Sequence, residues 1–455
     1  ATENIGNGSY STADPYVKKV WDGRYTGIRM CNELLENIDR VPDLDPELKK
    51  RYIGEAKVLR AYNYYELYTK FGDVPYTTKV LSIKESMSIA RTAKATVIAN
   101  VLADLDEVIN GNYLPTSYDA DNKGRITRWA AMAIKAKIYL FEGNWTQVKN
   151  ITSTIMTEGG FKLFESYAGL FEIANEYNSE VILDAQYRPT SREHQMMYVF
   201  LPPTLGGYSQ LSPLQELVDS YIMLDGKTIK ETGTSFDESH PYANRDPRLK
   251  ATVMYTGNSY TLADGTEVVI NCEKGEGKDG YGVGSDCSAT GYYIKKYWDN
   301  TYRATLYSGL NPILIRYADI LLMNAEALAE LGELDKTAWD ATIKPIRDRA
   351  GFTLASALEF PEGASKDKLI EIVRNERRSE LALEGHRHKD IIRWRIADNV
   401  LNGWCHGLKT NDVVGTDDGY VRVENRTFNA NRHYLWPIPQ AERDLNGNLE
   451  QNPNW

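Results

Sequence analysis

Between Asn375 and Trp394 the chain reads NERRSELALEGHRHKDIIRW, which gathers Glu376, Glu380, Glu384, His386, His388 and Asp390 with four arginines. Carboxylates and imidazoles this close together can move protons: one acid protonates a leaving group while a second group activates water. The same residue types can instead neutralise one another. Ile370, Val373, Arg377, Leu381 and Glu384 form one helical stripe, with Glu380 beside it. Arg377 therefore projects from about the same face as Glu380 and Glu384, and can pair there or with a neighbouring helix. Gly385 breaks the pattern, and a second short helix carries Asp390, Ile391 and Trp394. Acid–base catalysis needs a cleft and a substrate pose, whereas a charged seam needs only opposite charges with satisfied hydrogen bonds. The seam is the reading adopted, because structural ion-pair networks also look like sites.

Other motifs are weaker. GEGKDG, Gly275 to Gly280, fits the letters of a dinucleotide loop, but YGVGSDCSATG follows it where a helix should begin. DADNKG, Asp119 to Gly124, starts like a calcium loop, yet Lys123 occupies a ligand position and Ala130 stands where a bidentate Glu is required. Cys31, Cys272, Cys287 and Cys405 show no metal-ligand spacing with the six histidines. Cys272 and Cys287 flank a Gly-rich loop that a disulfide would close, adding about 3 kcal/mol in an oxidising compartment; two free thiols are the alternative. No HExxH, GxSxG or P-loop occurs. A glycosidase pair of carboxylates leaves no spacing signature and stays open at this level. No cofactor is expected.

The elements that must position these residues are long amphipathic helices at both ends of the chain. Val17, Trp21, Tyr25, Ile28, Cys31, Leu35 and Ile38 recur at helical intervals, and a second helix runs to a Gly-Asp-Val-Pro stop after Phe71. Ala136, Tyr139 and Gly143 then recur in type as Ala325, Leu328 and Gly332. A small residue lets two helices approach and a glycine turns the chain back, which is the tetratricopeptide logic. From about residue 160 to 310 the texture changes to Gly, Pro, Tyr and short β-prone runs such as TEVVI and TGYYIKKYW. The expected fold is mainly α: a tetratricopeptide-like helical repeat scaffold with an inserted loop-rich region containing short strands. Three successive stretches are expected, residues 1–160, 161–310 and 311–455.

With 53 Lys+Arg against 63 Asp+Glu the net charge is −10, which gives no reason to expect nucleic acid or an anionic membrane surface as partner. No run of eighteen apolar residues occurs. Thirty tyrosines and nine tryptophans stand out. Aromatic rings with a polar tip line sugar- and peptide-binding clefts, although most of them fill helix packing.

Five runs in order, GEAKVLRAYNYYELYTKFGDVPY, NPILIRYADILLMNAEALAELGE, IRDRAG, NERRSELALEGHRHKDIIRW and YLWPIPQAERDLNGNLEQNPNW, with TGYYIKKYWD before the second, resemble the SusD/RagB family. The resemblance spans nearly the whole chain. It implies a surface-exposed, lipid-anchored outer-membrane protein on tetratricopeptide helices. Such proteins act as a lid on a SusC-like TonB-dependent transporter, binding glycans, or in some cases peptides, without cleaving them. It also implies that Glu384 to Arg387 is a scaffold signature. The lipid-bearing cysteine lies outside this chain, so anchorage rests on the resemblance. His388 and Lys389 stand where relatives often carry aromatics, and Asn454-Trp455 where Gly-Tyr is common.

The expected function is capture of an oligosaccharide and its delivery to the transporter, with a peptide receptor of the same build as the alternative. A glycoside hydrolase on a helical scaffold and a tetratricopeptide scaffold for protein partners are the readings from other classes. Candidate ligand-binding residues are Asp73 as acceptor and Tyr76, Trp298, Tyr302, Tyr307 and Trp404 as platforms. No catalytic or metal-binding residue is assigned.

Overall fold

The computed structural model describes residues 3–301 and 305–455, so Tyr302 lies outside the described residues. The chain gathers into two compact units. One holds the residues up to Ile155 with His388–Gly403 and Arg426–Trp455; the other holds Met156–Arg387 and Trp404–Asn425. The units interleave along the chain, where the sequence reads as three successive stretches.

Unit one is built from helices α1 (Pro15–Asn37), α2 (Pro46–Phe71), α3 (Lys94–Asn110), α4 (Arg128–Phe141) and the start of α5 (Trp145–Glu158), each of the first three packed on the next. Their starts are coded locally. Asp14 Oδ1 accepts from the Tyr16 amide at 2.8 Å, Asp45 Oδ1 accepts from the Leu48 amide at 2.8 Å, and a proline occupies the first helical position after each. The predicted stripe of α1 is borne out in Val17, Trp21, Ile28 and Cys31, all buried, with Ile38 just beyond; Tyr25 and Leu35 are half-buried. Gly72, at φ +71°, ends α2 after Phe71, and Gly143, at φ +70°, turns α4 into α5. Within this unit the C-terminal segment closes against the end of α2: Asn452 Nδ2 donates to the Phe71 carbonyl at 2.8 Å and to the Trp436 carbonyl at 2.7 Å.

Unit two carries α6 (Tyr317–Leu331), α7 (Ile343–Ala350) and α8 (Lys366–Glu380), with α6 packed on α8 over Leu322, Ala325, Ile346 and Val373. Gly332, at φ +73°, stops α6 one residue after Leu331. The loop-rich region contributes β1 (Val181–Asp184), β2 (Val253–Met254), β3 (Ser259–Thr261), β4 (Glu267–Val269) and β5 (Tyr293–Ile294), joined later by β6 (Ile313–Arg316). Pairing is antiparallel, β1 with β6, β2 with β5 and β3 with β4. After α9 (Arg387–Arg393) come β7 (Gly403–Lys409), β8 (Thr416–Asp417) and β9 (Tyr420–Arg426), in the order β7-β9-β8. The pairing Val181↔Arg316 sets Glu180 next to the last residue of β6. Tyr221, Tyr260, Tyr293, Leu249 and Val253 fill the core beneath these strands.

The Gly-rich loop holds no helix after GEGKDG, and Asp119 only caps a short turn by accepting from the Asn122 amide at 3.0 Å. Cys272 and Cys287 are free thiols, the first buried among Tyr260 and Val253, the second accessible.

Gly291 opens TGYYIKKYWD at φ +74°, and a β-carbon there would sit 1.7 Å from Leu408 Cδ2. Gly291→Ala is expected to destabilise the protein by about 2–4 kcal/mol from backbone strain plus overpacking, read as an earlier urea midpoint at unchanged slope.

Candidate functional site

The run that opened the question resolves into a seam. Arg316 Nη1 lies 2.7 Å from Glu180 Oε1 and 2.6 Å from Glu380 Oε1, while its Nε and Nη2 donate to Glu384 at 2.8 and 2.7 Å. Arg248 Nη1 donates to Glu380 Oε2 at 2.8 Å, and its Nη2 donates to Asp246 at 2.7 Å. Arg349 bridges Glu180 and Glu380, and Arg347 Nε donates to Glu376 at 2.7 Å. Lys296 donates to Glu384 Oε1 at 2.7 Å, to the Ala382 carbonyl at 2.8 Å and to the Tyr167 hydroxyl at 2.9 Å. The cations Arg248, Arg316, Arg347, Arg349 and Lys296 thus face an equal number of carboxylates, Asp246, Glu180, Glu376, Glu380 and Glu384, all with side chains sealed from solvent or nearly so. Arg377 does not join Glu380; it crosses to Asp319 on α6 at 2.6 Å.

Burial alone would raise the Glu380 carboxyl, but the guanidiniums of Arg349, Arg316 and Arg248 override it and hold it well below the carboxylate range. Burial likewise opposes ionisation of Glu384, and Arg316 with Lys296 bring it down to about 2. Burial pulls the Lys296 ammonium down to about 8, against the pull of Glu384. At neutral pH both members of that pair are charged. A carboxylate locked by arginines in a closed interior has no proton to give and no substrate to meet.

The predicted platforms fare differently. Trp298 is half-buried: its Nε1 donates to the Thr261 carbonyl at 2.9 Å and its ring lies 5.0 Å from buried Tyr260. Tyr76 is half-buried against Tyr64, 4.7 Å between centroids, and burial pushes its hydroxyl up to about 12. Tyr307 is 40% exposed. Trp404 is 44% exposed and stands at the start of β7, on a strand where NGWCHG reads as a loop.

Trp404 is also the platform with polar company in its own unit. Alternation along β7 puts His406 on the same face. The Arg422 guanidinium sits 5.6 Å from the Trp404 ring centroid, Arg422 Nε donates to Asp417 Oδ1 at 2.9 Å, and His406 Nε2 lies 3.0 Å from Asp417 Oδ2. His406 Nδ1 lies 2.8 Å from Glu216 Oε1. Burial lowers the imidazole; Asp417 and Glu216 outweigh it and raise it. The result is a ring face edged by fixed donors and acceptors. Tyr208, exposed and stacked on Tyr198 at 4.2 Å, is a further exposed ring, one that the sequence reading missed.

Asp73 belongs to unit one, where it lines a cleft of about 610 Å³ with Arg91, Lys94, Arg393, Arg395 and Tyr434. Its Oδ1 accepts from the Lys94 amide at 2.7 Å, so it caps α3 as well as facing the cleft. The sequence reading missed the cleft's arginines and Tyr434. Among the described residues no group of three His, Cys, Asp or Glu is placed to hold a metal.

Residues 169–455 match the model of the SusD family, and residues 2–140 match a model described as starch-binding associating with outer membrane. The chain belongs to the SusD family. SusD-like protein P25 of Formosa agariphila is 28% identical over 430 residues, covering 88% of this chain and 75% of the relative. A SusD-like protein of Bacteroides ovatus is 22% identical over 433 residues, covering 89% and 71%. A SusD-like carbohydrate binding protein from Bacteroides fragilis superposes with a TM-score of 0.88 at 29% identity, over 98% of this chain and 88% of that one. A second SusD-like protein from that organism gives 0.85 at 28% identity, over 99% and 89%. No helix among the described residues of this SusD-family chain is long and apolar enough to cross a membrane.

Glu380→Gln in this SusD-family chain is expected to cost about 3–5 kcal/mol in urea unfolding, because three guanidiniums lose a buried counter-charge. Acid should act on the same contacts with a definite sign. The folded carboxyls of Glu380 and Glu384 sit below the value of about 4.3 in an unfolded chain, so their contribution is complete above that value. It drains as pH falls toward 2, which unfolding midpoints measured between pH 7 and 2 will show as a plateau followed by a decline.

Proposed function

We propose that the protein captures an oligosaccharide outside the cell and passes it to a SusC-like TonB-dependent transporter, held to the outer membrane by a lipid. The observation that carries the reading is the Trp404 face. A sugar offers an apolar ring face edged with hydroxyls. Trp404 supplies the complementary apolar surface, and Arg422, His406 and Asp417 supply hydrogen-bond partners already fixed by one another. Fixed partners lose little freedom on binding, which favours affinity from a small contact. Membership of the SusD family, a matching model described as starch-binding associating with outer membrane, and likeness to a structure described as a carbohydrate binding protein support the same reading.

Trp298 and Tyr76 take a supporting part in it. The first ties β3 to the loop after β5 through the Thr261 carbonyl, and the second packs on Tyr64. Tyr307 stays a candidate contact by its exposure, and Asp73 by its place in the cleft of unit one.

Calorimetry against plant, fungal and host glycans and mixed peptides tests the reading. Trp404→Ala is expected to weaken binding of the preferred glycan on the order of tenfold, about 1.4 kcal/mol, at unchanged melting temperature. Trp298→Ala should lower the melting temperature instead. Binding of peptides alone, or release of shorter sugars during incubation, would overturn capture without cleavage.

A further inference from the structure

We propose that the cleft in unit one is a second ligand site, taking a sugar unit that carries a carboxylate or a sulfate ester. The inference rests on the glycan reading and adds a ligand class to it. A volume of about 610 Å³ falls in the range of small-ligand sites. Arg91, Lys94, Arg393 and Arg395 line it beside Asp73 and Glu450, in a chain whose net charge is −10. Guanidiniums that no direct ion pair cancels offer an anion a local attraction in a protein that is acidic as a whole.

The four cations are not equivalent. Lys94 Nζ is paired with Glu142 at 2.9 Å, and Arg393 with Asp390 at 2.9 Å. Arg91 donates instead to neutral oxygens, the carbonyls of Asp73 at 2.8 Å and Glu450 at 2.9 Å and the Asn452 side chain at 2.6 Å. It is held rigidly, and no direct ion pair cancels its charge. Arg395 is exposed and its guanidinium carbon lies over Tyr434, 3.9 Å from the ring centroid. Among the described residues no carboxylate stands within ion-pair distance of it. Its backbone is left-handed, φ +57°, a conformation uncommon outside glycine, and the Tyr434 hydroxyl is itself fixed by donating to Asp398 Oδ1 at 3.0 Å. A guanidinium presented on a ring, with its planar fork uncommitted, suits two-point recognition of a carboxylate or sulfate. Arg91 supplies field behind it, and Phe141 and Tyr434 supply apolar edges for the ring that bears the charge.

Binding is measured by calorimetry for oligogalacturonides, sulfated galactan oligosaccharides and neutral maltooligosaccharides, with wild type, Arg395→Gln and Arg395→Lys. Wild type is expected to bind one acidic series more tightly than the neutral one, with affinity falling as salt rises. Arg395→Gln should lose on the order of tenfold for that series alone, and Arg395→Lys should lose less than Gln but not recover fully. Which acidic series responds tells carboxylate from sulfate. Acidic binding unchanged in Arg395→Gln, or a preference for neutral sugars, overturns the proposal and leaves glycan capture standing. No binding of either acidic series also overturns the proposal, and glycan capture is then decided by the wider glycan panel.

Discussion

Arg316 holds Glu180, Glu380 and Glu384 together in a space closed to water, and unit two is arranged so that this is possible. A lone buried charge is costly, and attraction repays the cost only when every partner is in place. The partners come from far apart in the chain: Glu180 before β1, Asp246 and Arg248 at a short helix, Lys296 after β5, Arg347 and Arg349 on α7, and the carboxylates of α8. A docking error at any one of them strands a charge, which penalises misaligned packing of these segments. Arginine suits the role because one planar fork can satisfy two or three carboxylates at once, as Arg316 does.

A core built this way constrains where recognition can occur. Its charges are mutually cancelled and its side chains are closed to solvent, so the network itself offers no surface for a ligand. Trp404 and the Asp417–His406–Arg422 chain stand on a small sheet at the surface of that unit, and their polar atoms are committed to one another before any ligand arrives. The helical unit uses a different device. Its cleft is framed by the caps and stops of α2 and α3, and Asp73 serves both as a cap of α3 and as a wall of the cleft.

Much of the helical scaffold was legible because its signals are local. Pro46 after Asp45, Gly72 after Phe71 and Gly332 after Leu331 mark helix ends through φ preferences and caps that act within four residues. The seam was legible as a class of interaction but not as a wiring. Arg377 shares a helix face with Glu380 and Glu384, yet pairs with Asp319, because partners of a buried charge are chosen in three dimensions. The platforms were legible only as residue types. Trp298 and Trp404 look alike in sequence, and what separates them is a carbonyl at Thr261 and the exposure of a strand end. Arg395 left no sequence signal, since its distinction is a left-handed backbone and a ring from a distant segment.

The buried charges of the helical unit follow the same rule of exhausted partners. Lys389 reaches Glu66, which Lys70 also holds at 2.7 Å. Burial opposes the Glu66 charge, and the two ammonium groups keep it well below the usual range. A third cation beside them would have no carboxylate left to meet. His388 sits there: burial, Lys70 and Lys389 together push its imidazole down to about 4, so at neutral pH it is an uncharged ring, 6.2 Å from Trp436 in an edge-on contact. The position thus keeps an aromatic contact in imidazole form, and the lysine next to it becomes tolerable because that imidazole is neutral. At the C-terminus Trp455 stacks under Arg432 at 3.8 Å and donates from Nε1 to the Leu435 carbonyl at 2.9 Å. In both places a ring contact and the charges around it are settled by residues of one unit.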